Sequence, residues 1–130
     1  MTATGVTPRL RTNRYNVKAH LWLFHAAKEE LEKTSGVFIT TASVAGIKAG
    51  GSSLPYSVTK AASLHLMKGL ATIAAPNIRV NSVSPGLILT EWGMKFSEEK
   101  RQKAKEATKL KRLATVEVCT VIPALWAVMM

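Results

Sequence analysis

The chain has 130 residues, 47% of them hydrophobic, with eighteen Lys and Arg against eight Asp and Glu. That size and composition fit one globular domain and exclude a disordered chain; the single Cys119 excludes an internal disulfide, and no apolar run reaches the roughly 18 residues of a membrane span, Val121–Met130 being short and carrying Pro123. The net charge of +10 favours anionic partners, and it gathers in two places: Arg9 to Lys18, ahead of the first acid Glu29, and Lys95 to Arg112.

Residues 1–13 carry Gly5 and Pro8 and no sustained period, so an irregular leader is expected. Its basic, acid-free composition is also that of a mitochondrial presequence. Asn13 is placed to cap the helix that follows. From Arg14 to Lys33, Val17, Leu21, Phe24 and Leu31 recur at near-helical spacing with Ala27 between them, which predicts an amphipathic helix of about five turns closed by Thr34-Ser35-Gly36. Val37-Phe38-Ile39-Thr40-Thr41 is β-branched and aromatic and reads as a strand buried on both faces, as in a parallel sheet. Gly46 to Ser53, rich in Gly and Ser, is an exposed or ligand-facing loop.

A second helical pattern (Val58, Ala61, Ala62, Leu66, Leu70, Ile73) runs from Tyr56 to Ala75 and is stopped by Pro76-Asn77. Ile78 to Ser84 alternates as a second strand, and Pro85-Gly86 turns the chain. Leu87 to Phe96 reads as a loop. Ser97, followed by Glu98 and Glu99, caps a mostly charged helix to about Arg112, a solvated cover. Thr115 with Glu117 starts a last helix that Pro123 kinks.

Strands alternating with helices predict an α/β fold with a parallel sheet. Ligands of such sheets sit beyond the carboxyl ends of the strands, where Ser43 follows the first strand and Pro85-Gly86 the second. Two strands alone leave both as edges, so the sheet is expected to be incomplete.

Tyr56 and Lys60 stand four apart on a helix and share a face. A phenol with a pKa of about 10 is a poor base near neutrality, but a nearby cation favours the phenolate, at about 1.4 kcal/mol per pKa unit. Such a Tyr can take a proton from an alcohol or give one to a developing alkoxide. Ser43 can hold the substrate oxygen where charge develops. The other reading of the same spacing is merely a surface pair on a helix.

Ser43, Tyr56 and Lys60, with the Gly-Val-Phe-Ile strand before them, resemble the active-site pattern of the short-chain dehydrogenase/reductase family. Arg79 to Thr90 resembles the family's next strand and its Pro-Gly-x-x-x-Thr loop, and Arg14-Tyr15-Asn16-Val17 resembles the start of the helix bearing its catalytic Asn. The likeness covers roughly residues 14 to 120. It implies a partial Rossmann-like, doubly wound parallel sheet with flanking helices, truncated at both ends, with 14–130 as the catalytic part. It also implies NAD(P)-dependent interconversion of a small alcohol and a carbonyl. Tyr56 is then the general acid/base, and Lys60 tunes it and binds the nicotinamide ribose. Ser43 orients the substrate, and Asn16 holds a proton relay beyond Lys60 through its backbone and a water. Pro85, Gly86, Ile88 and Thr90 grip the nicotinamide carboxamide, Glu91 to Arg112 forms the substrate lid, and helices 14–33 and 56–75 build a homo-oligomer interface.

The sequence departs from the family in lacking the Gly-rich strand–turn–helix that receives a pyrophosphate. It also lacks the adenosine-ribose selector and the Asn-Asn-Ala-Gly strand, and Val118 stands where many members place an Asp. Retention of NAD or NADP by these residues alone is therefore expected to be weak. A second hypothesis follows, a truncated non-catalytic fragment that binds full-length relatives through its helices. Nucleic-acid binding through Lys95 to Arg112 is disfavoured, because Glu98, Glu99 and Glu106 intersperse the cations and Phe96 is the lone aromatic. No membrane partner and no metal are expected; His20, His25 and His65 lack ligand spacing with carboxylates or Cys119 and read as helix-surface or partly buried groups. Trp22, Trp92 and Trp126 read as packing or pocket-wall groups, Cys119 as a small core hydrophobe. The expected compartment is the cytoplasm.

Overall fold

The computed structural model describes residues 12–120. The leader expected over 1–13 lies outside them except for Thr12 and Asn13, which are already helical; the kink at Pro123 and Trp126 lie outside as well. The chain divides at Ser84/Pro85 into two compact units.

In the first unit a π-wound turn, Arg14–Lys18, runs into α1, Ala19–Lys33. Asn13 makes no cap: its backbone is helical (φ −65, ψ −42) where a capping residue is extended, and its side chain accepts no first-turn N–H. After the turn at Thr34–Gly36 comes β1, Val37–Thr41, then a 3₁₀ turn, Val44–Gly46, inside the segment after Ser43. Helix α2 spans Leu54–Ala74 and starts earlier than the apolar pattern shows. Ser53 caps it by accepting the Tyr56 N–H at 3.3 Å, and Pro55 occupies its first turn.

Strand β2, Arg79–Val83, pairs parallel with β1 in the register Val37↔Arg79 to Thr41↔Val83. Bonds from Arg79 N–H to the Gly36 carbonyl (3.0 Å) and from Ala42 N–H to the Val83 carbonyl (2.7 Å) extend the ladder at both ends. The core of this unit is Phe24, Phe38, Met67, Leu70, Ala74, Ile78 and Val80, with Phe24 and Phe38 edge-to-face at 5.2 Å.

The buried face of α2 differs from the apolar pattern. Val58 and Ile73 are exposed, while Ser57, Thr59 and Ser63 are buried with Met67, Leu70 and Ala74. The helix is polar-faced in its first half and apolar-faced in its second. On α1, Leu21 is likewise exposed and Phe24 carries the packing.

The second unit holds a 3₁₀ turn, Gly93–Lys95, and α3, Glu98–Ala107, with Ser97 accepting the Lys100 N–H at 3.4 Å. This helix ends short of Arg112. Thr108 turns extended (φ −79, ψ 147), and its hydroxyl takes the Arg112 N–H at 3.1 Å, a local bond that competes with the helical one. A further helical segment begins at Val116, and Cys119 on it is half-buried rather than in a core. Among the described residues no helix is long and apolar enough to cross a membrane.

Candidate active site

Short connections gather the polar residues of the first unit around the first turns of α2. Ser43 leaves β1 extended (φ −168, ψ 152), and its Oγ accepts the Ala45 N–H at 3.2 Å, capping the 3₁₀ turn. The Ala45 carbonyl accepts the Ser57 hydroxyl at 2.6 Å. Since Ser57 adjoins Tyr56, this bond ties the segment holding Ser43 to the turn that carries the phenol. Gly46 makes the approach close: a Cβ there would lie 2.6 Å from the carbonyl carbon of Lys60 and 2.8 Å from the Ala61 nitrogen. Gly51 has a φ of +82, and a Cβ on it would meet the Tyr56 ring at 3.2 Å, so the Gly/Ser loop lies against that ring.

Tyr56 and Lys60 are both half-buried. Lys60 Nζ lies 5.8 Å from the Tyr56 ring centroid and donates to the Thr41 carbonyl at 2.9 Å, which fixes the ammonium at the carboxyl end of β1. An ammonium has more donors than this one bond uses. Burial pushes the Lys60 pKa below its ordinary 10.5, easing proton release. Ser43 uses an acceptor lone pair in its bond to Ala45, so its O–H can still donate to a substrate oxygen.

Asn16 sits in the π-wound turn and is held by α2 at two points. Its side-chain amide donates to Thr59 Oγ1 at 3.0 Å, and its carbonyl accepts the Ser63 hydroxyl at 2.9 Å. Thr59 donates in turn to the Tyr56 carbonyl at 2.9 Å. Thr59 and Ser63 flank Lys60 on the same helix, so the residues that clamp Asn16 belong to the element bearing the phenol and the amine. Sequence reasoning missed this pair. Their only signal was two hydroxyls four residues apart within a helical pattern, positions where a hydroxyl needs a partner once buried.

The other predicted residues lie in the second unit, where they form a self-bonded turn. Thr90 N–H donates to the Ile88 carbonyl at 2.9 Å, Thr90 Oγ1 accepts the Gly93 N–H at 3.2 Å, and the Thr90 carbonyl accepts the Met94 N–H at 2.9 Å. A side chain at Gly93 would overlap the Ile88 carbonyl oxygen. Gly86 has open space around it, so close packing is not what requires a glycine there. Pro85 begins the unit.

His20 is half-buried, whereas His25 and His65 are exposed. Burial, followed by the charge of Lys60, holds the His20 pKa below 6.5. Among the described residues no group of His, Cys, Asp and Glu gathers with metal-ligand geometry.

Sequence and structure comparisons agree. The family model described as Enoyl-(Acyl carrier protein) reductase matches residues 8–125. The chain is 41% identical over 102 residues to Short-chain dehydrogenase/reductase SDRA of Arabidopsis thaliana, covering 77% of this chain and 40% of that protein. Among solved structures, a short-chain type dehydrogenase/reductase from Mycobacterium ulcerans superposes with a TM-score of 0.82 at 28% identity, covering 92% of this chain and 45% of the other. A 7 alpha-hydroxysteroid dehydrogenase complexed with NADH and 7-oxo glycochenodeoxycholic acid superposes with a TM-score of 0.80 at 30% identity, covering 86% and 45%. The chain thus spans less than half the length of these relatives. With a two-stranded parallel part of a Rossmann-like sheet and a family match over nearly its whole length, the chain belongs to the short-chain dehydrogenase/reductase family of oxidoreductases.

Proposed function

We propose that residues 14–130 are the catalytic part of an NAD(P)-dependent oxidoreductase that interconverts a small alcohol and its carbonyl. The observation that carries this reading is the tie between the Ser43 segment and the first turn of α2, which brings a hydroxyl donor, a phenol and a half-buried amine to the carboxyl end of β1. In the reducing direction Tyr56 gives its phenolic proton to the substrate oxygen while Ser43 donates a hydrogen bond to it; in the oxidising direction the phenolate takes the alcohol proton. Lys60 holds positive charge beside the ring and resupplies or removes the proton.

In the first unit Lys60 retains donors for the ribose hydroxyls of a nicotinamide cofactor beyond its bond to Thr41; in the second, taken by itself, Thr90 retains its own O–H while accepting from Gly93. Pro85, Gly86, Ile88 and Thr90 are assigned the carboxamide. Bound there, the cofactor supplies the hydride and the protein supplies position and electrostatics. The similar 7 alpha-hydroxysteroid dehydrogenase, with NADH and an oxo bile acid, and a tropinone reductase-like protein of Erythroxylum coca support a small alcohol or ketone as substrate class. Tyr15, Trp22 and Leu23 of the first helical stretch and Val58 and Ile73 of α2 are exposed apolar groups. They support self-association through helices 14–33 and 56–75. A lone free Cys119 accords with a reducing, cytoplasmic setting.

Turnover of secondary alcohols by the intact protein with NAD⁺ or NADP⁺, followed by absorbance of the reduced nicotinamide, tests the reading. Tyr56→Phe is expected to lower kcat by about 10²- to 10⁴-fold. Undiminished turnover in that variant rejects the assigned role.

A further inference from the structure

Arg101 of the second unit has no place in the roles assigned so far. It lies one turn into α3, with its side chain only 18% exposed. Helix side chains lean toward the N-terminus, so its guanidinium reaches back over the segment that precedes α3. There Nη1 donates to the Met94 carbonyl at 3.0 Å and to the Phe96 carbonyl at 2.9 Å, while Nη2 pairs with the Glu98 carboxylate. Both carbonyls stand at a break in the winding: the 3₁₀ turn Gly93–Lys95 ends at Phe96, whose backbone is extended (φ −74, ψ 143), and α3 starts afresh from the Ser97 cap. Carbonyls at such an end need a donor, and Arg101 supplies it. A cation near the start of a helix opposes the macrodipole, so helix formation by itself does not favour arginine here.

Two routes lead from this guanidinium to Thr90. Met94 is bound to Arg101 through its carbonyl and donates its N–H to the Thr90 carbonyl at 2.9 Å. Phe96 is bound to Arg101 in the same way and donates its N–H to the Gly93 carbonyl at 3.3 Å, and Gly93 N–H donates to Thr90 Oγ1 at 3.2 Å. Trp92 and Phe96 meet edge-to-face at 5.0 Å across the same turn. The backbone from Thr90 to Phe96 is thus tied at one end to a side chain of α3.

We propose that Arg101 is a positioning residue for cofactor binding: by holding the Met94 and Phe96 carbonyls it keeps the turn wound around Thr90, whose hydroxyl then accepts from Gly93 and has its own hydrogen left to donate. This rests on the reading of Thr90 as a cofactor-binding group. With the guanidinium gone, the turn must be ordered by the cofactor itself, which weakens affinity and leaves the chemistry of Ser43, Tyr56 and Lys60 untouched. The carbonyl bonds are the working contacts, since the Glu98 side chain is 79% exposed and an ion pair there contributes little.

The test compares the intact protein with Arg101→Met, which keeps a long unbranched stem without N–H donors, and with Arg101→Lys. Amide exchange followed by NMR needs no turnover. The Gly93 and Met94 amides are expected to exchange about tenfold faster in Arg101→Met, the factor carried by one charge-assisted bond, with the Phe38 and Val80 amides unchanged. Arg101→Lys should recover only part of the protection, because one ammonium lacks the fork that spans two carbonyls. Wild-type exchange at Gly93 and Met94 in Arg101→Met overturns the proposal, and so does equal acceleration at Phe38 and Val80, which would make Arg101 a general stability residue. In turnover of small secondary alcohols with NAD⁺ or NADP⁺, Arg101→Met is expected to raise the nucleotide KM about tenfold with kcat nearly unchanged, Arg101→Lys to fall between, and Glu98→Gln to match wild type. Faster exchange with an unchanged nucleotide KM overturns the link to the cofactor alone, and an equal rise in Glu98→Gln overturns the part given to the carbonyl bonds. A wild type that turns over none of the panel overturns the catalytic reading and the cofactor role together.

Discussion

Up to Ser84 the chain is held by groups far apart in sequence: Ser63 reaches Asn16 across 47 positions, Asn16 reaches Thr59 across 43, and Lys60 reaches Thr41 across 19. From Pro85 onward the side-chain bonds span short distances, such as Gly93 to Thr90 across three positions and Arg101 to the Met94 carbonyl across seven. Helix α3 has no buried residue, and its ion pairs Arg101–Glu98 and Lys103–Glu99 are local. The first unit has an aromatic and aliphatic core. The contrast teaches where fixed geometry resides. Groups that must meet to within fractions of an ångström are placed by long-range packing; from Pro85 onward a backbone bridge joins Ile88 to Ala114, but α3 between them, held by local bonds, opens at little free-energy cost.

If the long-range unit carries the stability, its core must dominate unfolding. Phe38→Ala removes the edge-to-face contact with Phe24 and opens a cavity, and a loss of about 3–5 kcal/mol is expected. That is a large share of the 5–15 kcal/mol typical of a domain. Urea unfolding of the intact protein checks it, and a shift under about 1 kcal/mol would place the main core elsewhere. Gly46→Ala should follow at about 1–3 kcal/mol, because its new methyl group would fall on the backbone of Lys60 and Ala61 and push the 3₁₀ turn off α2. Activity should fall by more than stability explains, since the same displacement separates Ser43 from Tyr56. Measuring kcat well below the unfolding midpoint separates the two effects.

Both strands, the parallel pairing and the places of Ser43, Tyr56 and Lys60 were legible in the sequence, since β-branched runs and four-residue spacing on a helix are local signals. The inward face of α2 was not. Hydrophobic periodicity placed Val58, Leu70 and Ile73 inside; Leu70 is buried, but Val58 and Ile73 are exposed. Thr59 and Ser63 are buried in the first half of the helix, because Thr59 accepts from the Asn16 amide and Ser63 donates to the Asn16 carbonyl, both brought from elsewhere in the fold. A pattern that counts apolar residues cannot see a partner 47 positions away. Asn13 failed as a cap for a related reason. Whether a residue stands before or inside a first turn depends on how far the helix continues upstream, and here it is already wound. The end of α3 was missed because Thr108 chose a bond to Arg112 over the next helical turn.

The two units can be set against each other with one chemistry. Ser53 and Ser97 each cap a helix through a side-chain oxygen accepting the N–H three residues on, at 3.3 and 3.4 Å. Alanine at either position removes the same bond, worth about 1 kcal/mol to its helix. In the first unit that loss falls on the N–H of Tyr56 and on a helix whose other half is core. Ser53→Ala should therefore lower global stability by nearly the whole amount, and every protected amide of that unit should exchange faster. In the second unit α3 is solvated throughout, so Ser97→Ala should speed amide exchange only in residues near Glu98 to Ala107 and leave the urea midpoint within error. Hydrogen exchange followed residue by residue distinguishes these outcomes. Equal shifts of the global midpoint in the two variants would mean that α3 unfolds with the core and that its description as a locally held helix is wrong.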